Sequence, residues 1–291
     1  MRKIEHCPAC DERDAKVVAQ LDEDSRLRFL KYSDIKYRGL ITPWLQEISP
    51  RVVRCGRCGH CWYKTQPSEH QLSLMYAAAR QLHPEIPIDR FPSALAVREV
   101  KKLRSLVHRR KPSFLDYGSG YGRWARAAVN EGFEVYAFEP SQHRGAEDDA
   151  PFVLIHNVNE LNGKTFDVVN LEQVLEHVLD PHALLIEIKN VCHAESIIRV
   201  SVPNILRCDE GKEIWRDWPF DGHRSHIMAP FEHLHGFTPL SLTKLVARSR
   251  YKSIPFTDLL RYYPTSVPRR AIGRFFEQVG QTKLILHQDG V

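Results

Sequence analysis

A chain of 291 residues is long enough to bury a full core, and its hydrophobic and charged fractions, 43% and 26%, are those of an ordinary globular protein. The net charge of +5 and the isoelectric point near 8.8 are only mildly basic, so we expect no nucleic-acid partner. No apolar run approaches the ~20 residues that cross a membrane, and the first residues lack the apolar core of a signal peptide. We therefore expect a cytoplasmic protein without a membrane partner.

The first 61 residues contain five of the seven cysteines. Four of these five form two Cys-x-x-Cys pairs, Cys7 with Cys10 and Cys55 with Cys58. In a reducing compartment such pairs indicate a metal site, because the two-residue spacer lets both thiolates of one turn face one ion. Four thiolates complete the closed tetrahedral shell of a structural zinc ion. We predict a zinc-ribbon-like head at residues 1–66, with Cys61 as an alternative ligand.

The segments between and after the cysteine pairs complete the head and a connection. Within the head we predict strands at residues 16–21 and 51–54, and a helix or an ordered loop at 27–45. Helical spacing of apolar residues begins at Ser68, and three prolines then interrupt it. Residues 67–92 are therefore predicted to be a linker or lid helix. Ser93 is placed to cap a long helix that ends at Arg110.

A glycine-rich turn is the central feature of the remaining chain, residues 93–291. A short apolar strand over residues 113–116 ends in Asp116, and Gly118, Gly120 and Gly122 follow at alternate positions. Glycine accepts positive φ and lets a ligand approach the backbone closely. A helix is predicted from Arg123 to Asn130, so its first amides and those of the turn would favour a polar or anionic group.

Strands and helices alternate after this turn. The next strand, residues 134–140, ends in Glu139, at the position where an acid in doubly wound sheets reaches the ribose hydroxyls of a nucleoside. Further strands are predicted at 151–155, 166–171, 196–202, 251–260 and 282–287, and helices at 174–181, 183–192 and 269–279. This order predicts an α/β fold, a mostly parallel sheet with helices on both faces. We expect the final strand to be antiparallel and at an edge.

These motifs together resemble the class I S-adenosylmethionine-dependent methyltransferases. The residues that carry the resemblance are Leu115–Gly122, Phe138–Glu139–Pro140, Asp167–Val169, Glu172–Val178 and Glu232–Leu242. The cysteine pairs are similar to those of a subgroup with a zinc-binding head, which includes sugar C-methyltransferases and enzymes of polysaccharide and natural-product pathways. The resemblance implies a Rossmann-like, seven-stranded methyltransferase sheet, with S-adenosylmethionine and structural zinc as cofactors.

The resemblance also implies roles for individual residues. The glycines, with Tyr117 and Ser119 between them, would approach the methionine portion of the cofactor, and Asp116 would lie below it. Glu139, followed by Pro140, would bind the ribose hydroxyls. The predicted adenine neighbours are Asn157 and Val158, and the predicted neighbours of the methionyl side are Glu172 and Gln173. A nicotinamide dehydrogenase is the competing interpretation, and the Gly-x-Gly-x-Gly spacing disfavours it.

The acceptor side is predicted from an insertion at about residues 205–235, which is rich in histidine and in aromatic residues such as Trp215 and Trp218. Glu232 and His233 match a catalytic pair of the sugar C-methyltransferases, and His177 is a further candidate. A carbon or hydroxyl acceptor needs such a base near its proton. We expect an enzyme that methylates a small-molecule acceptor. Two alternative functions stay open: an RNA methyltransferase whose zinc head binds RNA, and a zinc-held scaffold without catalysis. The sequence leaves the oligomeric state open.

Overall fold

The computed structural model describes residues 1–37, 39–40, 42–47, 50–82, 91–142, 150–208, 228, 231–254 and 281–288. The chain forms two compact units. Unit 1 comprises Met1–Glu85, Leu175–His182 and Pro203–Arg248, and unit 2 comprises Ile86–Val174, Ala183–Val202 and Ser249–Val291. Within the described ranges no helix combines the length and apolar character that a membrane span needs.

The helices and strands are numbered here in chain order. The strands are β1 (Arg2–Lys3), β2 (Ala15–Gln20), β3 (Arg51–Cys55), β4 (Cys61–Tyr63), β5 (Thr65–Gln66), β6 (Ser113–Tyr117), β7 (Glu134–Phe138), β8 (Val153–Ile155), β9 (Phe166–Glu172), β10 (Cys192–Pro203), β11 (His235–Gly236), β12 (Tyr251–Ser253) and β13 (Gln281–Gln288). The helices are α1 (Glu23–Tyr37), α2 (Thr42–Glu47), α3 (Glu69–Leu82), α4 (Ala94–Leu106), α5 (Arg123–Asn130), α6 (Pro181–Ile188) and α7 (Pro239–Arg248).

Unit 1 is built on a four-stranded antiparallel sheet in the order β11–β4–β3–β2. The valines of β3 and the aromatic residues of β4 suit a pleated, half-buried surface, and Trp62 and Tyr63 are fully buried. Helices α1, α2 and α3 add Phe29, Leu45 and Met75 to the same core, together with Phe231. The predicted strands of the head are present, and the predicted helix or loop at 27–45 forms parts of α1 and α2.

Unit 2 contains the seven-stranded sheet, in the order β12–β13–β10–β9–β6–β7–β8. Strands β8, β7, β6, β9 and β10 pair with one another in parallel, and β12 pairs with β13 antiparallel. Every residue from Phe166 to Leu171 in β9 is buried, which shows that both faces of the sheet are covered. The predicted α/β fold class, with its mostly parallel seven-stranded sheet, is confirmed.

Two helices cover the side of this sheet near the glycine turn. The Ser93 hydroxyl accepts a hydrogen bond from the Ala96 amide at 3.1 Å and caps α4, as predicted. Helix α4 ends at Leu106 and not at Arg110. Helix α5 has the predicted bounds, and its buried alanines let it lie close to α4 and β7.

Further sequence predictions are wrong or lie outside the described residues. Residues 174–181 form turns and not a helix, and α6 begins only at Pro181. The last strand, β13, is not at the edge of the sheet, because β12 lies beyond it. The predicted helix at 269–279 and most of the predicted strand at 251–260 fall on residues that are not described. The predicted domain boundaries at residues 66 and 92 stay predictions.

Candidate functional site

The glycine turn follows β6 directly, and all three of its glycines have positive φ: 77° at Gly118, 55° at Gly120 and 76° at Gly122. A Cβ at Gly118 would lie 2.8 Å from a methyl group of Val174, and one at Gly122 would lie 2.6 Å from the ring of Phe152. Among the described residues, a Cβ at Gly120 would have no neighbour within 4 Å. Packing therefore requires the two outer glycines, whereas the middle one borders open space that a ligand can enter.

Neighbouring strand ends fix the turn by hydrogen bonds. The amides of Gly118 and Ser119 both donate to the carbonyl oxygen of Phe138, at 2.8 and 2.9 Å. The next residue, Glu139, is buried, and its carboxylate accepts from the Gly120 amide at 2.9 Å and from the Ser141 amide at 3.0 Å. Each carboxylate oxygen keeps a further acceptor position for a hydroxyl group. These hydrogen bonds thus connect the glycine turn to Glu139, the predicted ribose-binding acid.

Three buried polar atoms at this end of the sheet have no hydrogen-bond partner among the described residues: Ser119 Oγ, Ser141 Oγ and Gln173 Nε2. Gln173 also has an unusual φ of 56°. Buried polar groups are normally paired, so unpaired ones indicate groups that a ligand or water satisfies. Two of the three residues, Ser119 and Gln173, belong to the predicted cofactor set. The residues present therefore fit a polar ligand such as S-adenosylmethionine.

Asp116 is buried at the end of β6 and holds the start of α5. Its carboxylate accepts from the Ala125 amide at 3.1 Å and from the Asn170 side-chain amide at 2.8 Å. Burial raises the pKa of Asp116 to about 7, against these two hydrogen bonds, which lower it. Asp116 therefore positions the turn and the helix through its hydrogen bonds.

Glu172 ends β9 and forms an ion pair with Arg199 of β10. The Arg199 Nη1 atom donates to Glu172 at 2.6 Å and to the Asn170 side-chain oxygen at 2.8 Å. The guanidinium also lies 4.1 Å from the centre of the Trp124 ring. The predicted methionyl-side residue Glu172 is thus held in place by a buried cation that the sequence analysis did not identify.

The predicted adenine neighbours follow β8. Asn157 is exposed, and its side chain caps a short 3₁₀ helix by accepting from the Asn159 amide. Val158 is 46% exposed, an uncovered apolar side chain of the kind on which a planar ring can lie.

Two further residues of the predicted cofactor set are Tyr117 and Pro140. The Tyr117 ring packs on Phe138, and burial raises the pKa of Tyr117 to about 12. Pro140 is exposed directly after Glu139. Their roles in binding stay predictions.

The cysteine pairs converge in unit 1. One sulfur atom from each of Cys7, Cys10, Cys55 and Cys58 lies within 4.8 Å of the other three. The Cys7–Cys58 and Cys10–Cys55 sulfur distances are both 3.6 Å. Two thiolates on one tetrahedral zinc ion lie about 3.8 Å apart, given Zn–S bonds of about 2.3 Å. The four residues therefore fit zinc in both donor type and spacing.

The turn that carries Cys55 and Cys58 supports this geometry. The Gly59 amide donates to the Cys55 carbonyl oxygen at 3.0 Å, with Gly59 at φ 72°. The contact between the Cys7 and Cys58 sulfur atoms lowers the pKa of Cys58 and raises that of Cys7, so one proton is shared by this pair when no metal is bound. Cys61 begins β4, and its thiol faces the Gly59 carbonyl oxygen at 3.8 Å. Cys61 is not one of the four converging residues.

The predicted catalytic residues also lie together in unit 1. His177 Nδ1 is 2.6 Å from the backbone oxygen of Glu232, and the rings of His177 and His233 are 4.6 Å apart. Since a carbonyl oxygen only accepts, Nδ1 carries the proton and Nε2 is the basic nitrogen of His177. The Tyr37 hydroxyl donates to the Glu232 carboxylate at 2.5 Å, and Tyr76 packs against the His177 ring.

A second group of residues of metal-ligand type includes His177. Ligand atoms of Glu176, His177 and His233 lie within 4.8 Å of one another. His177 Nε2 is 4.0 Å from the Glu176 carboxylate, whereas tetrahedral nitrogen and oxygen ligands lie about 3.3 Å apart. This trio is therefore less preformed than the cysteine site. The other histidines and tryptophans of the predicted insertion, including Trp215 and Trp218, lie outside the described residues.

Sequence reasoning missed Asn170, Arg199, Tyr37 and Tyr76. A signal was available for the first two, because each is a polar residue inside an apolar strand and a buried polar group needs a partner. The two tyrosines lie far from the catalytic motif along the chain, and nothing local marks them.

A comparison with families of known proteins identifies the class of protein. A family described as "Methyltransferase domain" matches residues 89–252, more than half of the chain. The chain belongs to this family of methyltransferases. None of the curated proteins matches it.

Several solved structures are similar to the chain at low identity. One is 1,6-didemethyltoxoflavin-N1-methyltransferase from Burkholderia thailandensis, with 16% identity over 82% of this chain and 96% of that one, and a TM-score of 0.47. Another is the CcbJ methyltransferase from Streptomyces caelestis, with 11% identity, 74% and 98% coverage and a TM-score of 0.48. The plantazolicin methyltransferase BamL has 11% identity, 92% and 100% coverage and a TM-score of 0.44.

Proposed function

We propose that the protein is an S-adenosylmethionine-dependent methyltransferase that acts on a small molecule: a sugar, a nucleotide-sugar or a natural-product intermediate. The observation that carries this proposal is the joined arrangement of the open glycine turn and the buried Glu139, whose carboxylate accepts from the Gly120 amide. Family membership supports the reaction type. The small-molecule acceptor rests on the resemblance to methyltransferases with a zinc-binding head and on the weak net charge.

When bound, S-adenosylmethionine supplies a methyl group that its sulfonium already activates. The chain has mainly to hold donor and acceptor in line and to remove a proton where the acceptor carries one. Glu139 would bind the ribose hydroxyls, Gly118–Gly122 would accommodate the methionine portion, and Ser119 and Gln173 would supply hydrogen bonds from their unpaired polar atoms. Asn157 and Val158 would hold the adenine.

The four-cysteine group would hold a structural zinc ion. Cys7, Cys10, Cys55 and Cys58 would complete its tetrahedral shell and leave no position for a substrate or water. The ion would therefore organise the head and take no part in the reaction.

The candidate general bases for an acceptor that carries a proton are His177, Glu232 and His233. His177 offers a basic Nε2, because its Nδ1 donates to the Glu232 carbonyl oxygen. Tyr37 holds the Glu232 carboxylate through its hydroxyl. General bases of this kind contribute about 10²–10⁴-fold to a rate.

The test separates cofactor binding from turnover. The protein is incubated with S-adenosylmethionine and pooled small-molecule acceptors, and mass spectrometry detects the methylated product and S-adenosylhomocysteine. We expect Glu232→Gln and His233→Ala to lower turnover by about 10²-fold or more while S-adenosylhomocysteine binds as in the wild type. Unchanged turnover in both variants would remove them from the mechanism. Methylation of RNA in place of every small acceptor would overturn the substrate class.

A further inference from the structure

Arg199 lies in the middle of β10 and is 1% exposed, so a full positive charge is buried beside the cofactor end of the sheet. Its guanidinium contacts two acids: Nη1 is 2.6 Å from Glu172, and Nε is 4.0 Å from Glu99 of α4. Nε and Nη2 have no hydrogen-bond partner among the described residues. Unpaired buried donors cost stability, and an apolar residue of similar volume often serves stability as well as a buried ion pair. Stability alone therefore does not explain this arginine.

The strand register connects Arg199 to the glycine turn. Asp116, Asn170 and Arg199 are direct neighbours on three adjacent strands, β6, β9 and β10. The Asn170 side chain receives a hydrogen bond from Arg199 on its oxygen and donates one to Asp116 from its nitrogen. These two bonds fix the orientation of the amide. Asp116 in turn accepts from the first turn of α5, at Ala125.

A second branch leads to Glu172. Glu172 lies two residues after Asn170 in β9, so both side chains are on the same face of the sheet. A single nitrogen, Arg199 Nη1, donates to both of them. One buried cation thus holds two polar side chains of β9, of which Asn170 bonds Asp116 and Glu172 ends the strand.

We propose that Arg199 is a positioning residue for cofactor binding: it fixes the Asn170–Asp116 pair beneath the glycine turn and the Glu172 carboxylate at the end of β9. This inference rests on the proposed function, since it assigns Arg199 a role at the same site. Without the guanidinium, the Asn170 amide is free to reverse, and Glu172 loses its ion-pair partner. The cofactor then meets a site whose polar groups are no longer held in position.

The test measures S-adenosylhomocysteine binding by calorimetry in Arg199→Met and Arg199→Lys. We expect Arg199→Met to weaken binding by about tenfold or more, as expected for a lost charged hydrogen-bond network. We expect Arg199→Lys to restore part of the affinity, because a single nitrogen of Arg199 makes the bonds to both Asn170 and Glu172. The shorter side chain of lysine and its lower tolerance of burial prevent full rescue.

The matched control is Arg104→Met. Arg104 lies in the same unit, also packs over an aromatic ring, at 5.8 Å from the centre of Phe133, and donates to the Val107 carbonyl oxygen. We expect this variant to lose thermal stability but to keep its affinity for S-adenosylhomocysteine. Folded Arg199→Met that binds as tightly as the wild type would overturn the inference, and so would an equal loss of affinity in Arg104→Met.

A second pair of variants decides the case where Arg199→Met does not fold. In Arg199→Met with Glu172→Gln, the ion pair is replaced by neutral groups and no unpaired charge stays buried at this pair. We expect this double variant to bind S-adenosylhomocysteine several-fold more weakly than Glu172→Gln alone, because the Asn170 branch is lost only in the double variant. Equal affinities would overturn the inference. If the wild type itself does not bind, the proposed function fails and not this assignment alone.

Discussion

At the scale of single residues, Asp116 couples the stability of the fold to pH. Burial raises its folded-state pKa from 3.8 to about 7. The unfolded chain loses this proton near pH 4 and the folded chain near pH 7, so in that window the folded state binds more protons. Stability therefore falls as pH rises from about 4 to about 7. The full shift of the Asp116 pKa corresponds to about 4 kcal/mol in the free energy of unfolding.

Replacing Asp116 by asparagine tests this coupling, because asparagine does not titrate. From pH 5 to pH 8 we expect the free energy of unfolding of the wild type to fall by about 3 kcal/mol relative to Asp116→Asn. Urea unfolding at both pH values measures the difference. Parallel pH profiles for the two proteins would show that the carboxyl group is ionised throughout this range.

Residues of the site differ in how far the sequence predicts them. The glycines and Glu139 are predictable because a strand, a turn and the following strand end determine their positions locally. Arg199 is not, since its partners Asn170 and Glu172 lie more than 25 residues earlier and meet it only through the sheet register. Tyr37 is separated from Glu232 by 195 positions, and only the folded unit brings them together.

At the scale of elements, the Cys55–Cys58 turn also supports the start of α7. The Thr238 hydroxyl donates to the Cys58 carbonyl oxygen at 2.8 Å and accepts from the Ser241 amide at the first turn of α7. Loss of the metal should therefore loosen this helix as well as that turn.

Metal content tests the zinc assignment. We expect Cys55→Ser and Cys58→Ser to lose one equivalent of zinc and to lower the melting temperature by roughly 10 °C or more. Cys61→Ser is the matched control, since it changes a buried cysteine of the same unit that is outside the converging group, and it should keep the metal. Zinc retained in Cys55→Ser but lost in Cys61→Ser would assign Cys61 as the ligand.

Elements were predictable where local pattern and packing agree. The parallel strands of the sheet, the Ser93 cap and the bounds of α5 agree with the sequence predictions. Residues 174–181 have a helical pattern, yet they form turns in which the Glu176 carbonyl oxygen accepts from the amides of Leu234 and His235. These long-range bonds replace the hydrogen bonds of a helix, and the sequence contains no local signal for them.

At the scale of the whole molecule, alternation of strands and helices predicts the parallel sheet but not the place of its last strands. Strand β13 lies between β10 and β12, so a late segment of the chain is inserted next to an earlier one. Likewise, unit 1 draws together three separate stretches of chain, including Leu175–His182. Such grouping depends on contacts between distant segments, which composition and periodicity do not encode.

Binding of S-adenosylhomocysteine to the wild-type chain tests the central claim most directly. Calorimetry should show one site per chain, and Gly120→Arg should abolish it by filling the open side of the turn. Gly132→Arg is the matched control: Gly132 also has positive φ and open space around its Cβ, but it follows the far end of α5, and binding should persist. A folded wild-type chain that does not bind S-adenosylhomocysteine, or a Gly120→Arg variant that binds it normally, would contradict the account.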